Sequence, residues 1–283
     1  LAVDELDIST ENNDSEISGN HFPSLHALLD DIKLPKRFLK LITRLRNISQ
    51  EKTDFKLCKT IGDVVKISDE EFTKLSESNK IASLEHDREE SLPDFTVEST
   101  TSGGGRAQST PCGVTRAGGA ANAGSSRWIW IVDTGIDLDH PDLNVQTSYS
   151  QSFVGGNAND CHGHGTHVAG TAAAINNNMG VVGVAAGAPV VAVKIFTCSG
   201  SGSTSGILSG LNHVANYDYP GDVVNMSLGG YYGGGCANGS SYKTILNSLG
   251  SAGTRVAVAA GNSNANANYY QPACVNATNV VTI

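Results

Sequence analysis

Short, nearly unbroken apolar runs recur through the last two thirds of the chain, at Trp128–Val132, Val190–Phe196, Val223–Leu228, Val256–Ala260 and Val280–Ile283. A strand with one wet face alternates apolar and polar residues, whereas a strand covered on both faces reads as a continuous run. These five segments therefore predict buried strands. Between them, Thr166–Ile175, Thr204–Ala215 and Tyr242–Leu249 read as helices. Strand alternating with helix predicts an α/β fold, a parallel sheet flanked by helices and joined by right-handed crossovers. In such sheets reactive groups gather at the C-terminal strand ends. Asp133 and Ser227-Leu228-Gly229-Gly230 fall at two of those ends, and Gly261-Asn262 lies just beyond a third.

The first third is patterned differently. Residues 1–24 are polar and acidic, the composition of a disordered segment. Leu34–Ile48 places Phe38, Leu39, Leu41, Ile42 and Leu45 at helical spacing among basic residues, which predicts an amphipathic helix. Val64–Ile67 reads as a strand. Asp69-Glu70-Glu71 then offers a cap and an acidic first turn for a helix through Leu75. A second strand near Ile81–Leu84 leads into the charged run Glu85–Glu90. The pattern predicts a small α+β module over residues 25–92. Residues 93–112 read as a linker, with Ser102-Gly103-Gly104-Gly105-Arg106 exposed, and residues 113–283 as the sheet-bearing domain.

Composition changes at the same place. The first 98 residues hold 13 Lys+Arg against 21 Asp+Glu and only 2 Gly, while the remaining 185 hold 6 against 7 and 30 Gly. Two kinds of protein are joined in one chain. The overall charge of −9 leaves no electrostatic footprint for nucleic acid. No run approaches the roughly 18 apolar residues of a membrane span. Cysteines at 58, 112, 161, 198, 236 and 274 lack zinc-type spacing, so disulfides in a secreted protein are expected. Asn47, Asn225, Asn238 and Asn276 each open an N-x-S/T sequon, which agrees weakly with export. The chain opens on Leu1 without a basic-then-apolar leader, and residues preceding it are expected.

Candidate chemistry centres on two strand exits and the head of one helix. Asp133 ends an apolar run and is followed by Thr134-Gly135; taken alone, it reads equally as a strand-terminating residue. His164 and His167 flank Gly165-Thr166 at the head of a helix of small residues, Val168 to Ala174, which permits close backbone approach. Cys161, His162, His164 and His167 crowd together as a metal site would. Neither a His-Glu-x-x-His pattern nor a distant ligand pair completes such a site, and no metal ligand is assigned. Asn262, in Ala259-Ala260-Gly261-Asn262-Ser263, reads as a turn residue or as a donor to an oxyanion.

Together these segments resemble the subtilisin-like serine proteases, most closely the proteinase K and aqualysin branch. The resemblance rests on Val132-Asp133-Thr134-Gly135, Asp160 through Thr171, Gly200 through Gly206, Asn225 through Gly230 and Ala257 through Asn262, in the family's order. It implies a Ser-His-Asp endopeptidase without a catalytic cofactor, acting as a monomer on polypeptide substrates. Asp133 would be the orienting acid and His164 the general acid/base, leaving His162 and His167 without that role. Asn262 would donate to the oxyanion. Gly200, Ser201 and Gly202, with Ser227, Leu228 and Gly229, would be the backbone edges holding an extended substrate. Leu228, Ala259, Ala260 and Gly261 would line a fairly apolar first pocket, implying broad specificity. The resemblance pairs Cys161 with Cys198 and, more loosely, Cys236 with Cys274; Cys112 would need a partner elsewhere. It also implies structural calcium, for which no ligands are assigned. The N-terminal module resembles the family's inhibitory propeptide, which occupies the cleft and is removed by self-cleavage, here expected between Pro93 and Ser109.

One part of the family pattern has no counterpart. The nucleophile lies in a Gly-Thr-Ser-Met-Ala segment downstream of the Asn262 region, and no serine among these 283 residues stands in such a segment. Ser227 and Ser263 already have other expected roles. The chain is therefore expected to stop short of the nucleophile, and residues 1–283 alone are expected neither to cleave peptides nor to fold stably. Two rivals remain at this point. A binding module could keep the fold and lose the chemistry. A nucleotide-binding α/β protein is the weaker rival, since Ser199–Gly206 has no Lys after its glycines and so is no phosphate loop.

Overall fold

The computed structural model describes residues 2–4, 63–64, 66–77, 83–92, 107–234, 236 and 240–283. The helix expected at Leu34–Ile48, the 102–106 linker, Cys58, and the sequons at Asn47 and Asn238 lie outside the described residues. The chain divides into two compact units, Leu1–Asp87 and Arg88–Ile283.

In the first unit, the Ala2–Asp4 strand pairs antiparallel with both Asp63–Val64 and Ser83–Glu85. These three residues fall inside the segment expected to be disordered, and form a strand instead. The helix Asp69–Ser76 includes Asp69, the residue expected as its cap, so the cap lies one residue earlier. Ser68 is the cap: its Oγ accepts from Glu71 N–H at 3.3 Å, while Glu71 Oε2 accepts from Ser68 N–H at 2.9 Å. That reciprocal pair satisfies two helix-end donors at once. Leu75 is buried on this helix, and the Phe72 ring stacks on His86 at 4.4 Å.

The second unit is built on a parallel sheet. Its strand order is Val280–Thr282, Arg255–Val258, Val223–Met226, Ile129–Asp133, Pro189–Lys194 and Asn144–Val145, with Gln151–Ser152 also pairing with Pro189–Lys194. All five predicted strands are present. Successive side chains of Pro189–Lys194 face opposite sides of the sheet. Val190 and Ala192 pack with Ile131, Ala169 and Ala173, against the helix His164–Ala173. Val193 faces the other way: a Cβ on Gly210, in the helix Thr204–Tyr217, would lie 2.8 Å from Val193 Cγ1. Both faces are covered, which is why the strand reads as an unbroken apolar run. The third predicted helix runs Ser241–Ser251, capped by Ser240.

The Ile129–Asp133 strand sits in the middle of the sheet. The chain leaves it toward Pro189–Lys194 on one side and later returns to Val223–Met226 on the other. That reversal opens a crevice beyond the strand ends, where α/β sheets bind their ligands. Asp133 is the last residue of the strand beside it.

Candidate active site

Asp133 is completely buried. Its Oδ1 accepts the Thr134 N–H at 2.7 Å and lies 2.7 Å from His164 Nδ1. An ionised carboxylate only accepts, so Nδ1 carries the proton and Nε2 is the basic nitrogen. Asp133 Oδ2 is buried and takes no hydrogen bond among the described residues, so the carboxylate spends its bonding on the atom that holds the imidazole. The hydrogen bond to Asp133 raises the His164 pKa above its ordinary value; burial opposes this, and the charges of Asp133 and Asp160 add to it.

Two glycines let these elements meet. Gly163 precedes the helix with φ +100°, a conformation that favours glycine. A Cβ on Gly165 would lie 2.1 Å from the Gly135 carbonyl oxygen and 3.1 Å from Asp133 Cβ. No other residue permits so close an approach of the helix to the aspartate turn.

Sequence reasoning quoted Asp160 within a motif but gave it no role. Its Oδ1 accepts from the N–H groups of His162 and Gly163, both at 2.9 Å, and Oδ2 accepts from Thr166 N–H at 2.9 Å and Thr166 Oγ1 at 2.6 Å. Burial raises the Asp160 pKa, but the bonds from Thr166, Gly163 and His162 outweigh it and leave the carboxyl below its usual range. Thr134 Oγ1 donates to Asp160 Oδ1 at 3.0 Å and accepts Gly165 N–H at 2.9 Å, tying the aspartate turn to the histidine helix. Lys194 was also missed. It ends the neighbouring strand in register with Asp133, and its buried ammonium donates to Thr134 O and, at 3.1 Å, to Asn159 O. Burial lowers its pKa, with the charges of Asp160 and Asp133 acting against that shift. A lysine inside the apolar run Val190–Phe196 was the available signal.

His164 opens onto a cleft of about 530 Å³ that Ser227, Leu228, Gly229, Ala259, Gly261 and Asn262 also line. Asn262 is exposed there. Ala260 is not part of this lining, and its N–H donates to Ile283 O at 2.7 Å. Gly200, Ser201 and Gly202 stand apart from the cleft lining and form a backbone edge. The strand Glu89–Ser91 runs antiparallel along Ser201–Ser203, extended by Leu92 N–H to Gly200 O and Thr204 N–H to Arg88 O, both at 2.9 Å. The edge therefore already holds an extended peptide, which is why Arg88–Leu92 belongs to the second unit.

Cys161 is disulfide-bonded to Cys198, and Cys236 to Cys274; Cys112 is free and exposed. Within the crowded Cys161–His167 segment, Cys161 is thus committed to a disulfide and His164 to Asp133. Among the described residues no three His, Cys, Asp or Glu side chains are grouped to hold a metal. Among them, too, no helix is long and apolar enough to cross a membrane.

The Subtilase family (Peptidase_S8) matches residues 124–283. Subtilisin E of Bacillus subtilis is 42% identical over 164 residues, covering 55% of this chain and 41% of its own length. An extracellular serine proteinase of a Thermus species is 35% identical over 219 residues, covering 76% and 50%. A solved cold adapted subtilisin-like serine proteinase is 33% identical, with a TM-score of 0.42, covering 54% of this chain and 53% of that one. The chain spans about half the length of the curated relatives it matches.

Proposed function

Because the chain belongs to the subtilase family, we propose that its protein is a secreted serine endopeptidase using a Ser-His-Asp triad, of which these residues supply Asp133 and His164. The observation that carries this reading is the 2.7 Å contact between Asp133 Oδ1 and His164 Nδ1 at the floor of a cleft beside a peptide-holding edge. In the proposed mechanism, His164 Nε2 takes the proton of a serine hydroxyl as that oxygen attacks the scissile carbonyl, then delivers it to the leaving amine. Asp133 fixes the imidazole tautomer and stabilises the imidazolium. The Asn262 side-chain amide donates to the tetrahedral oxyanion. Substrate lies along Ser201–Ser203 as Glu89–Ser91 does, with Leu228, Ala259 and Gly261 bounding an apolar first pocket.

Residues 25–92 act in this reading as an inhibitory propeptide of the proteinase K and aqualysin type, released by self-cleavage between Pro93 and Ser109. The nucleophile is the one member that the sequence does not offer in a Gly-Thr-Ser setting, so residues 1–283 alone are expected to be inactive. Calcium enters only as a structural ion, tested by the Tm with and without a chelator.

The decisive test reads the transcript past the Ile283 codon, expresses the whole product and assays hydrolysis of an unstructured peptide. His164→Ala is expected to lower kcat on the order of a millionfold, the loss known for the corresponding group of subtilisin, a member of this family. A complete product that cuts nothing would make the fold a binding scaffold. Covalent labelling of residues 1–283 alone by an organophosphonate would place the nucleophile within them and overturn the expected inactivity.

A further inference from the structure

Glu90 is the middle residue of the strand laid on Ser201–Ser203, opposite Gly202, and is only 6% exposed. A carboxylate removed from water needs donors that replace it. Two hydroxyls are among those donors: Thr204 Oγ1, 3.1 Å from Glu90 Oε1, and the Tyr232 hydroxyl, which donates to the same oxygen. Those hydroxyls also lie 3.0 Å from each other, and Thr204 is itself buried. The Tyr232 pKa is pushed well above its ordinary value, first by burial and then by the bond to Glu90, so the phenol keeps its proton. Gly230 leaves the space the carboxylate fills, since a Cβ there would lie 2.4 Å from Glu90 Oε2. Two residues before Glu90, where the pairing continues past the strand through Arg88 O, the Arg88 guanidinium sits 4.3 Å from the Tyr232 ring centroid. Residues two apart on a strand point the same way, so one tyrosine meets the cation with its face and the anion with its hydroxyl.

We propose that Thr204, Gly230 and Tyr232 form a subsite that selects a glutamate side chain from an extended peptide laid on Ser201–Ser203. Its use on substrates rests on the proteolytic reading; its grip on Arg88–Leu92 does not. An aliphatic side chain at this position would leave at least one of the two hydroxyls without an acceptor, since they can bond each other only once, and a site built to hydrogen-bond its ligand strongly rejects one that cannot. Gln keeps the shape and loses the charge-assisted part of the bond.

The test has two arms. In the whole, uncut precursor carrying His164→Ala, so that it cannot process itself, hydrogen exchange is followed at the Leu92 and Thr204 amides. Glu90→Leu is expected to speed that exchange about tenfold, and Glu90→Gln less. These changes sit on the docked strand and spare the core; Thr204→Val with Tyr232→Phe should match Glu90→Leu. Unchanged protection in Glu90→Leu overturns the proposal. In the matured enzyme, kcat/KM is compared for peptides with Glu, Gln or Leu facing Gly202. Glu is expected to exceed Leu about tenfold, with the difference erased in the double variant. Leu equal to Glu overturns the selectivity. If no peptide is cut while the exchange result holds, the proteolytic reading fails and the subsite stands as the docking site of this chain's own strand.

Discussion

The hydrogen bond between Asp133 and His164 sets opposite pH dependences for stability and for the proposed activity. The folded-state pKa of His164 is raised, chiefly by Asp133. Its contribution to stability is therefore full below the ordinary histidine value of about 6.5 and is lost as pH rises through the folded pKa. A general base works only when neutral, so kcat/KM should climb over that same rise. Asp133→Asn removes the charge and keeps the shape. The His164 titration, followed by NMR, is expected to move down toward the ordinary value, and kcat to fall about ten-thousandfold. A His164 midpoint unchanged in Asp133→Asn would mean that Asp133 does not orient it. Asp133 alone reads equally as the end of a strand; it was the order of several motifs, and the family resemblance they carry, that singled out both residues. Asp160 and Thr134 were not singled out, because their partners are backbone groups or residues remote in sequence, and nothing local marks them; Lys194 stood out as a lysine in an apolar run, but its carbonyl partners Thr134 O and Asn159 O did not.

At the scale of elements, the strands and helices were readable wherever burial on both sheet faces produced long apolar runs. The two-residue strands Asn144–Val145 and Gln151–Ser152 were not, since two residues carry no period. The helix expected from Thr166 starts at His164 because Asp160, outside the helix, does the work of a cap. That assignment predicts an acid-sensitive helix start. With its pKa lowered, Asp160 contributes stability that is present above the ordinary carboxylate value of about 3.9 and is lost as pH falls through the folded pKa. Asp160→Ala strands several partly buried donors and is expected to cost about 2–3 kcal/mol at neutral pH, read from denaturant unfolding. The variant should also flatten the loss of stability between pH 5 and pH 2. An Asp160→Ala protein that keeps the parent's acid limb would show that other carboxylates govern it.

For the whole molecule, glycine content and charge shift near residue 98, while the structure divides into compact units between Asp87 and Arg88. The element pattern ends the first module at residue 92, whereas Arg88–Leu92 is drawn into the second unit by backbone pairing that no side-chain pattern announces. The two disulfides offer a controlled comparison within that unit. Their sequence separations are 37 and 38, so chain entropy gives each about 4 kcal/mol of stabilisation. Replacing either pair with serines should then lower Tm by a similar amount, on the order of 10 °C. Their surroundings differ. Cys161 adjoins Asp160 and His162, and Cys198 lies two residues from Gly200, so this bridge joins the histidine segment to the peptide-holding edge. Cys161→Ser with Cys198→Ser should therefore shift the His164 titration and speed exchange at the Leu92 amide, beyond any loss in Tm. Cys236→Ser with Cys274→Ser should match that loss in Tm and leave both local readouts unchanged below the melt. Equal effects of the two pairs on His164 and Leu92 would mean that the first bridge only shortens the unfolded chain, and that backbone hydrogen bonds alone hold the edge against the site.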